Sequence, residues 1–378
     1  MRKLSTERMR VAALDLKRQI KPIRRQIDAA IKKAVDNTSF ILGAGVSEFE
    51  RHVEEYSGAR YAVGVSNGTD AISLALLALG IKHGDEVVCP AFTYFATAGA
   101  VAAVGATPVF ADIDKDTYNI SLQSLKDILF RRKNIKAVIP VHLYGQCADM
   151  GQVLSLARKY GIKVIEDAAQ AFGAEYMGRK AGTIGDCGAV SFYPGKNIGA
   201  FGDAGMVLTN SKAVAERLFI LRNQGNKDKY YHSLLGRNNR LDAIQAVVLD
   251  VKLKYLDDWN KGRGEVACYY DRYFSSCAVQ IPFRAAYSTH IYHQYTLRGK
   301  GSGRKIVERL HERGIDARVF YPVPLHLQEC FKCLGYKAGD FPEAEAAARH
   351  VFSIPVFPEL KRDEREYVAS QVKDVLES

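Results

Sequence analysis

A lysine that follows an apolar run and a Pro-Gly turn stands out in the segment Ser191-Phe-Tyr-Pro-Gly-Lys196, with Gly199, Gly202 and Gly205 close behind. Glycines that dense let a backbone approach something other than protein. Earlier in the chain, Lys163-Val-Ile-Glu-Asp167 ends an apolar strand on two carboxylates, and Gln170 follows three residues later. A lysine amine, a carboxylate and an amide at strand ends are the parts that hold pyridoxal phosphate as a Schiff base. Lys196 would carry the aldehyde carbon and later shuttle a proton as a neutral amine. Asp167 would keep the pyridine nitrogen protonated, whereas Glu166 points to the opposite side of the strand. Gln170 would reach the phenolic oxygen of the ring.

The phosphate needs its own anchor. Val65-Ser-Asn-Gly-Thr69 ends one strand and opens a helix, where unpaired N–H groups and the helix dipole suit a dianion. Gly68 lets the backbone approach, and the Thr69 hydroxyl adds a donor; the competing reading is an ordinary helix cap without ligand. Ser191 offers a further phosphate contact. Tyr94, in Pro90-Ala-Phe-Thr-Tyr94, would stack on the cofactor face or serve as a core aromatic.

Stepping from these residues to the elements around them, the first 255 residues alternate short apolar runs with helical patterns. Strands are expected at Tyr61–Asn67, Glu86–Pro90, Thr107–Asp114, Lys136–Gly145, Lys163–Ala169, Gly188–Pro194 and Gly205–Asn210. Helices are expected at 69–79, 95–104, 122–130, 150–160 and 211–223. Unbroken apolar strands separated by helices predict an α/β fold with a largely parallel sheet covered on both faces. Ligands of such sheets bind at the carboxyl ends of strands, where the residues above lie. After Trp259 the texture changes to a polar helix (Arg263–Phe274), short strands near Gln280–Pro282 and His290–Arg298, and a basic helix at Lys305–Arg313. A Pro-rich stretch, Tyr321-Pro-Val-Pro-Leu-His326, and a helix over 362–376 close the chain. The expected division is a large cofactor-binding domain over 1–255, with an N-terminal helix at 19–36, and a smaller α/β domain over 256–378.

Composition narrows the class. The chain has 378 residues, 47% of them hydrophobic, enough for a large core. No run of eighteen apolar residues predicts a membrane span, and Met1–Arg8 carry no apolar stretch of the secretory kind. Seven scattered cysteines fit reduced thiols in a cytoplasm. Cys330-Phe-Lys-Cys333 lacks a second ligand pair, so no metal site is expected. The net charge of +11 is concentrated in residues 1–36, with 11 Lys+Arg against 4 Asp+Glu. Leu16, Ile20, Ile23, Ile27, Ile31 and Val35 form a helical stripe there. The basic face is read as the solvated side of that helix rather than a nucleic-acid arm, and the positive field suits an anionic substrate such as a nucleoside diphosphate.

Taken together and in order, these blocks resemble the DegT/DnrJ/EryC1/StrS sugar aminotransferases. The matching stretches are Asn67-Gly-Thr-Asp-Ala71, Pro90-Ala-Phe-Thr-Tyr94, Glu166-Asp-Ala-Ala-Gln170, Ser191-Phe-Tyr-Pro-Gly-Lys196, Gly202-Asp-Ala-Gly205 and Gly236-Arg-Asn-Asn-Arg-Leu-Asp242. The resemblance implies a fold-type-I pyridoxal-phosphate enzyme, a homodimer with shared active sites, in which Asn238 reaches the cofactor phosphate of the partner subunit. It implies L-glutamate as amino donor and a nucleotide-linked keto sugar as acceptor, in ping-pong exchange. Family members that dehydrate instead have histidine in place of the lysine; this chain keeps Lys196.

The block Asn238-Asn-Arg-Leu-Asp242 resembles the Asn-Ser-Arg-Leu-Asp of members acting at C3 more than the Asn-Tyr-Arg of members acting at C4. Leu143-Tyr-Gly-Gln-Cys-Ala-Asp149 and Tyr231-His232 also resemble enzymes acting on UDP-2-acetamido-2-deoxy-3-oxo-glucuronate; a dTDP-3-keto-6-deoxyhexose is the other substrate implied. Arg240 would pair with a sugar carboxylate. The resemblance places Tyr321 and His326 at the sugar pocket, against which stands a structural Pro-rich turn. A 4-keto sugar, a dehydratase and a non-catalytic sensor of amino sugars remain the alternatives.

Overall fold

The computed structural model describes residues 9–228 and 230–378; the reading of Met1–Arg8 falls outside them. Seven strands form the central sheet: β1 (Tyr61–Val65), β2 (Glu86–Pro90), β3 (Thr107–Ala111), β4 (Ile135–Val138), β5 (Lys163–Asp167), β6 (Cys187–Ser191) and β7 (Gly205–Thr209). Their spatial order is β1-β7-β6-β5-β4-β2-β3. β7 runs antiparallel to both neighbours, and the other pairings are parallel. Nearly every position in these strands is buried, as a sheet covered on both faces requires.

The covering helices are α1 (Arg24–Asp36), α2 (Ala44–Ser57), α3 (Gly68–Ala78), α4 (Ala96–Ala103), α5 (Leu122–Arg131), α6 (Met150–Tyr160), α7 (Lys212–Arg222) and α8 (Ala243–Leu253). Beyond its first turn α3 is almost wholly apolar and buried, with Ala71, Leu74, Ala75 and Leu76 at 0% exposure. The C-terminal part contains α9 (Leu256–Phe274), β8 (Tyr295–Arg298), α10 (Gly303–Glu312), α11 (Pro342–His350), β9 (Val351–Ile354) and α12 (Arg362–Glu377). β8 and β9 pair antiparallel. Val11 pairs with Ile315 and packs into the same apolar cluster as Tyr270, Leu297 and Phe352, so the first described residues belong to the core of the C-terminal part.

The N-terminal stripe is not one helix over 19–36. A short helical turn at Leu16–Ile20 passes into a 3-10 turn at Lys21–Ile23 before α1 begins. Pro22 is the cause: its ring removes a donor and clashes with the preceding turn. The strand expected over 136–145 ends at Val138, two residues before Pro140, which has no N–H for the ladder, and the chain then turns at Leu143–Gly145 with Tyr144 at φ 59°. α9 starts seven residues before the expected Arg263, and β8 is confined to Tyr295–Arg298. Cys330 and Cys333 are exposed free thiols. Among the described residues no helix is long and apolar enough to cross a membrane, and no group of three His, Cys, Asp or Glu is placed to hold a metal ion.

Candidate active site

Four strand ends converge on one cleft of about 890 Å³, lined by Asn67, Gly68, Thr69, Tyr94, Asp167, Gln170, Ser191, Lys196 and Tyr321 among others. Eight residues predicted from sequence are therefore brought together here: Gly68, Thr69, Tyr94, Asp167, Gln170, Ser191, Lys196 and Tyr321. The reversed strand β7 explains part of this. It lies between β1 and β6, so its first residue, Gly205, sits where both neighbours end. A Cβ on Gly205 would stand 2.4 Å from the Asn67 backbone, and one on Gly68 would stand 2.6 Å from Ser191 Cβ. Only glycine permits that approach.

The cap of α3 is built by side chains. Asn67 Oδ1 accepts from the Asp70 amide at 2.8 Å, and Asn67 Nδ2 donates to Asp70 Oδ2 at 2.8 Å. Ser66 Oγ donates to the same carboxylate and itself accepts from Asn239 Nδ2 at 3.1 Å. The first-turn amides of Gly68 and Thr69 have no intrahelical acceptor, and both residues line the cleft. They form a donor pair suited to a phosphate.

The two adjacent carboxylates do different things. Glu166 is 0% exposed and accepts from the amides of Gly182 (2.9 Å), Ile184 (2.6 Å) and Gly185 (2.7 Å) and contacts His142 Nε2 at 2.9 Å. It staples the 182–185 loop to the sheet. Asp167 points the other way, lining the cleft, with Thr97 Oγ1 donating to its Oδ2 at 2.8 Å and the Ala169 amide to Oδ1 at 3.2 Å. Gln170 is oriented from both ends: its Oε1 accepts from the Tyr144 amide at 2.7 Å, and its Nε2 donates to the Tyr321 hydroxyl at 2.8 Å. Burial first, and the Asp167 charge second, push the Tyr321 phenol well above its usual range. Its ring stands 5.9 Å from Tyr94, which is 59% exposed.

Lys196 follows a turn closed by its own amide on the Tyr193 carbonyl at 2.8 Å. Burial of the ammonium lowers its pKa to about 8, against the opposing pull of Asp167. The next residue is held rigidly. Asn197 Nδ2 donates to Asn260 Oδ1 at 2.7 Å and to the Ile291 carbonyl at 3.2 Å, while its Oδ1 meets His293 Nδ1 at 3.0 Å.

His293, Arg263, Arg318 and Thr93 line the cleft and were not singled out from sequence. Arg263 is 2% exposed and donates to the Val356 carbonyl at 2.7 Å. Arg318 is paired with Asp316 at 2.9 Å. These side chains come from stretches with no local signal beyond the residue type.

Three predicted residues lie outside this cleft. Asn238 is exposed and its backbone bridges Asn223. Arg240 donates to Asn223 Oδ1 at 3.2 Å. His326 is 1% exposed, 3.2 Å from Glu345 Oε1 and edge-on to Phe341 at 4.8 Å. Phe341 itself packs into the apolar cluster of the central sheet with Val87 and Phe110. Asn239 is also more than a spacer. It is 6% exposed, holds Ser66, and leaves its own Oδ1 without a partner.

The residues present fit pyridoxal phosphate: a glycine cradle that a Cβ would fill, a helix N-terminus, a hydrogen-bonded carboxylate and a desolvated amine share one cavity. Fold and site thus define a pyridoxal-phosphate-dependent enzyme of the aminotransferase class. The chain belongs to the DegT/DnrJ/EryC1/StrS aminotransferase family, whose model matches residues 21–373. It is 40% identical, over 98% of this chain and 99% of the other, to the UDP-N-acetyl-3-dehydro-alpha-D-glucosamine 3-aminotransferase of Acidithiobacillus ferrooxidans. It is 43% identical to the pleiotropic regulatory protein of Geobacillus stearothermophilus, over 97% and 98% of the two chains. The crystal structure of S. venezuelae DesV in complex with a ketimine intermediate superposes with a TM-score of 0.94 at 40% identity, covering 98% of this chain and 99% of that one.

Proposed function

We propose that this enzyme transfers an amino group from L-glutamate to C3 of a keto sugar carried on a nucleoside diphosphate. The observation that carries this reading is the single cleft that holds the Lys196 amine, the Asp167 carboxylate and the open N-terminus of α3. The acceptor class is supported by relatives named as 3-aminotransferases of UDP- and dTDP-linked sugars.

When bound, pyridoxal phosphate supplies a carbonyl that takes up the amino group and a ring that accepts the electron pair left on the substrate carbon. Lys196 Nζ, whose ammonium form burial disfavours, would move the proton at that carbon as a neutral amine. Asp167, fixed by Thr97, would hold a proton at the ring nitrogen. The amides of Gly68 and Thr69, with Ser191, would hold the phosphate, Gln170 would bond the phenolic oxygen, and Tyr94 would pack on the ring. Tyr321 closes the sugar side.

The same reading makes the enzyme a homodimer. Phe40 (43% exposed), Ile41 (54%) and Phe201 (42%) gather where α8 begins, since Phe40 O accepts from the Ala243 amide, Ile41 pairs with Asp242, and the Phe201 amide donates to Gln245. Exposed apolar side chains beside the 236–242 block suit a partner subunit, toward which Asn238 and Arg240 would extend. Arg240 would meet a substrate carboxylate if the sugar is a uronic acid.

The test is the visible spectrum of the loaded protein before and after L-glutamate, followed by amination assays with 3-keto and 4-keto nucleotide sugars. Bleaching by glutamate and activity on 3-keto sugars are expected; amination of 4-keto sugars alone would overturn the C3 assignment. The regulatory name of one relative motivates a second reading, a sensor without catalysis. Lys196→Ala separates them, because a sensor keeps its biological output without the lysine and an enzyme does not.

A further inference from the structure

A second cavity, of about 760 Å³, lies against α9 outside the catalytic cleft. Its walls are α9, the 284–292 segment and Arg365 of α12. Along α9 the lining residues Asn260, Gly264, Cys268 and Arg272 recur every fourth position, which makes one continuous ridge on the helix surface. Lys261 and Glu265 form the row beside it. The same helix turns Arg263 toward the cleft and buries Val266, Ala267 and Tyr270.

Two features set this cavity apart from the solvated side of a helix. The first is charge. Lys261, Arg272, Arg284 and Arg365 face one carboxylate, Glu265, in the lining. Arg284 is paired with Asp271 and its Nη2 also reaches Cys268 Sγ at 3.6 Å. Lys261, Arg272 and Arg365 have no carboxylate partner within ion-pair distance among the described residues. Like charges converging on a concave surface focus the field on whatever anion enters it.

The second feature is Gly264. It lies inside a 19-residue helix, where glycine is a poor helix former. Most crowded glycines of this chain are explained by a neighbour that a Cβ would strike. At Gly264 a Cβ would meet nothing within 4 Å. Neither packing nor a positive φ calls for glycine there, and its missing side chain opens the floor of the cavity between Asn260 and Cys268.

We propose that this cavity is a binding site for an oligophosphate anion, separate from the catalytic cleft. Its volume falls in the range of roughly 300–1,000 Å³ common to small-molecule sites, and guanidinium groups are suited to phosphate oxygens. The site also abuts the machinery already described: Asn260 Oδ1 accepts from Asn197, the neighbour of Lys196. The inference does not depend on the catalytic reading.

Cys268, an exposed thiol in the wall, reports on occupancy directly. The full chain loaded with pyridoxal phosphate is alkylated with iodoacetamide at increasing pyrophosphate, and each cysteine is followed by peptide mass spectrometry. Saturable slowing at Cys268 of about fivefold or more is expected, with Cys330 and Cys333, exposed elsewhere, unaffected. The protection should vanish in Lys261→Glu/Arg272→Glu, which changes two exposed side chains, and in Gly264→Leu, whose Cβ meets nothing within 4 Å and whose side chain extends into the cavity. Absence of saturable protection at 10 mM pyrophosphate, equal slowing by sodium chloride at matched ionic strength, or undiminished protection in the double variant would each overturn the proposal. Since the readout is a thiol remote from catalysis, it stands or falls apart from transaminase activity.

Discussion

His293 Nδ1 stands 3.0 Å from Asn197 Oδ1, and the bond can run in one direction only. The Ile291 carbonyl, 3.2 Å from Asn197 Nδ2, is an acceptor, so it fixes the amide's orientation and leaves Oδ1 toward the imidazole. The histidine must therefore donate from Nδ1. Burial first, then the charges of Lys196 and Arg263, hold its pKa well below the ordinary range, so Nε2 carries a lone pair rather than a proton. The residue beside Lys196 is oriented by a neutral imidazole of one tautomer.

Replacing that imidazole by phenyl, in His293→Phe, leaves Asn197 Oδ1 buried without a donor, which costs about 1–3 kcal/mol. The expected outcome is a fall in kcat of about tenfold to a hundredfold, with KM for the sugar changed less than threefold. His293→Gln, which can donate from its amide, should recover part of the loss. Imidazole ¹⁵N shifts in the wild type should report the Nδ1–H tautomer throughout pH 5–8.

The neighbouring carboxylates predict opposite phenotypes. Glu166→Gln removes the charge that gathers three amides and turns an NH2 toward donors. A loss of stability on the order of 3 kcal/mol is expected, seen as a thermal midpoint lower by several degrees. Asp167→Asn should leave the midpoint nearly unchanged and abolish amino transfer. Thermal melts and glutamate half-reaction rates on both proteins check this.

Thr97 is the residue to alter without touching the carboxylate. Thr97→Val deletes its hydrogen bond to Asp167, and bonds to charged groups contribute about 1.5–3 kcal/mol. Cofactor affinity should fall by roughly tenfold to a hundredfold, and Thr97→Ser should restore most of it. Equilibrium dialysis measures the difference.

For the amine, the sign follows from burial. Lys196 titrates near 8 instead of 10.5, so between those values the unfolded chain holds a proton that the folded chain has released. Stability of the cofactor-free protein should therefore rise with pH across that window, the penalty being full below about pH 8 and gone above 10.5. Asp167 opposes the shift, so Asp167→Asn should lower the lysine further. The ¹³C shift of reductively methylated Lys196 in cofactor-free protein gives both titrations.

Legibility followed the range of the signal. Alternation along Lys163–Asp167 separated Asp167 from Glu166 before any fold was known, because a strand turns successive side chains to opposite faces. Lys196, Gly68 and Thr69 are legible for a similar reason, each lying three to five residues past the end of an apolar strand. Thr97 and His293 were not: their partners, Asp167 and Asn197, lie 70 and 96 residues away, and no local pattern encodes such a pairing. His326 lies in a conspicuous motif, and the fold sets its ring edge-on to Phe341, a contact the motif does not encode. The helix α11 is encoded locally, with Pro342 at its first position and acidic residues in its first turn, followed by an alanine-rich run that favours helix.

The meeting of Gly205 with the Asn67 backbone, 2.4 Å from where a Cβ would stand, bears on how this site responds to random mutation. A library scored by yellow colour would count Gly205 among the cofactor ligands, although it offers no functional group to bind one. Its substitution would spread β1 from β7 and withdraw the amides of Gly68 and Thr69 together. Tolerance there is decided by backbone clearance, so a site inventory compiled from colourless variants would mix chemistry with carpentry. Pairing each such variant with a measure of folding separates the two.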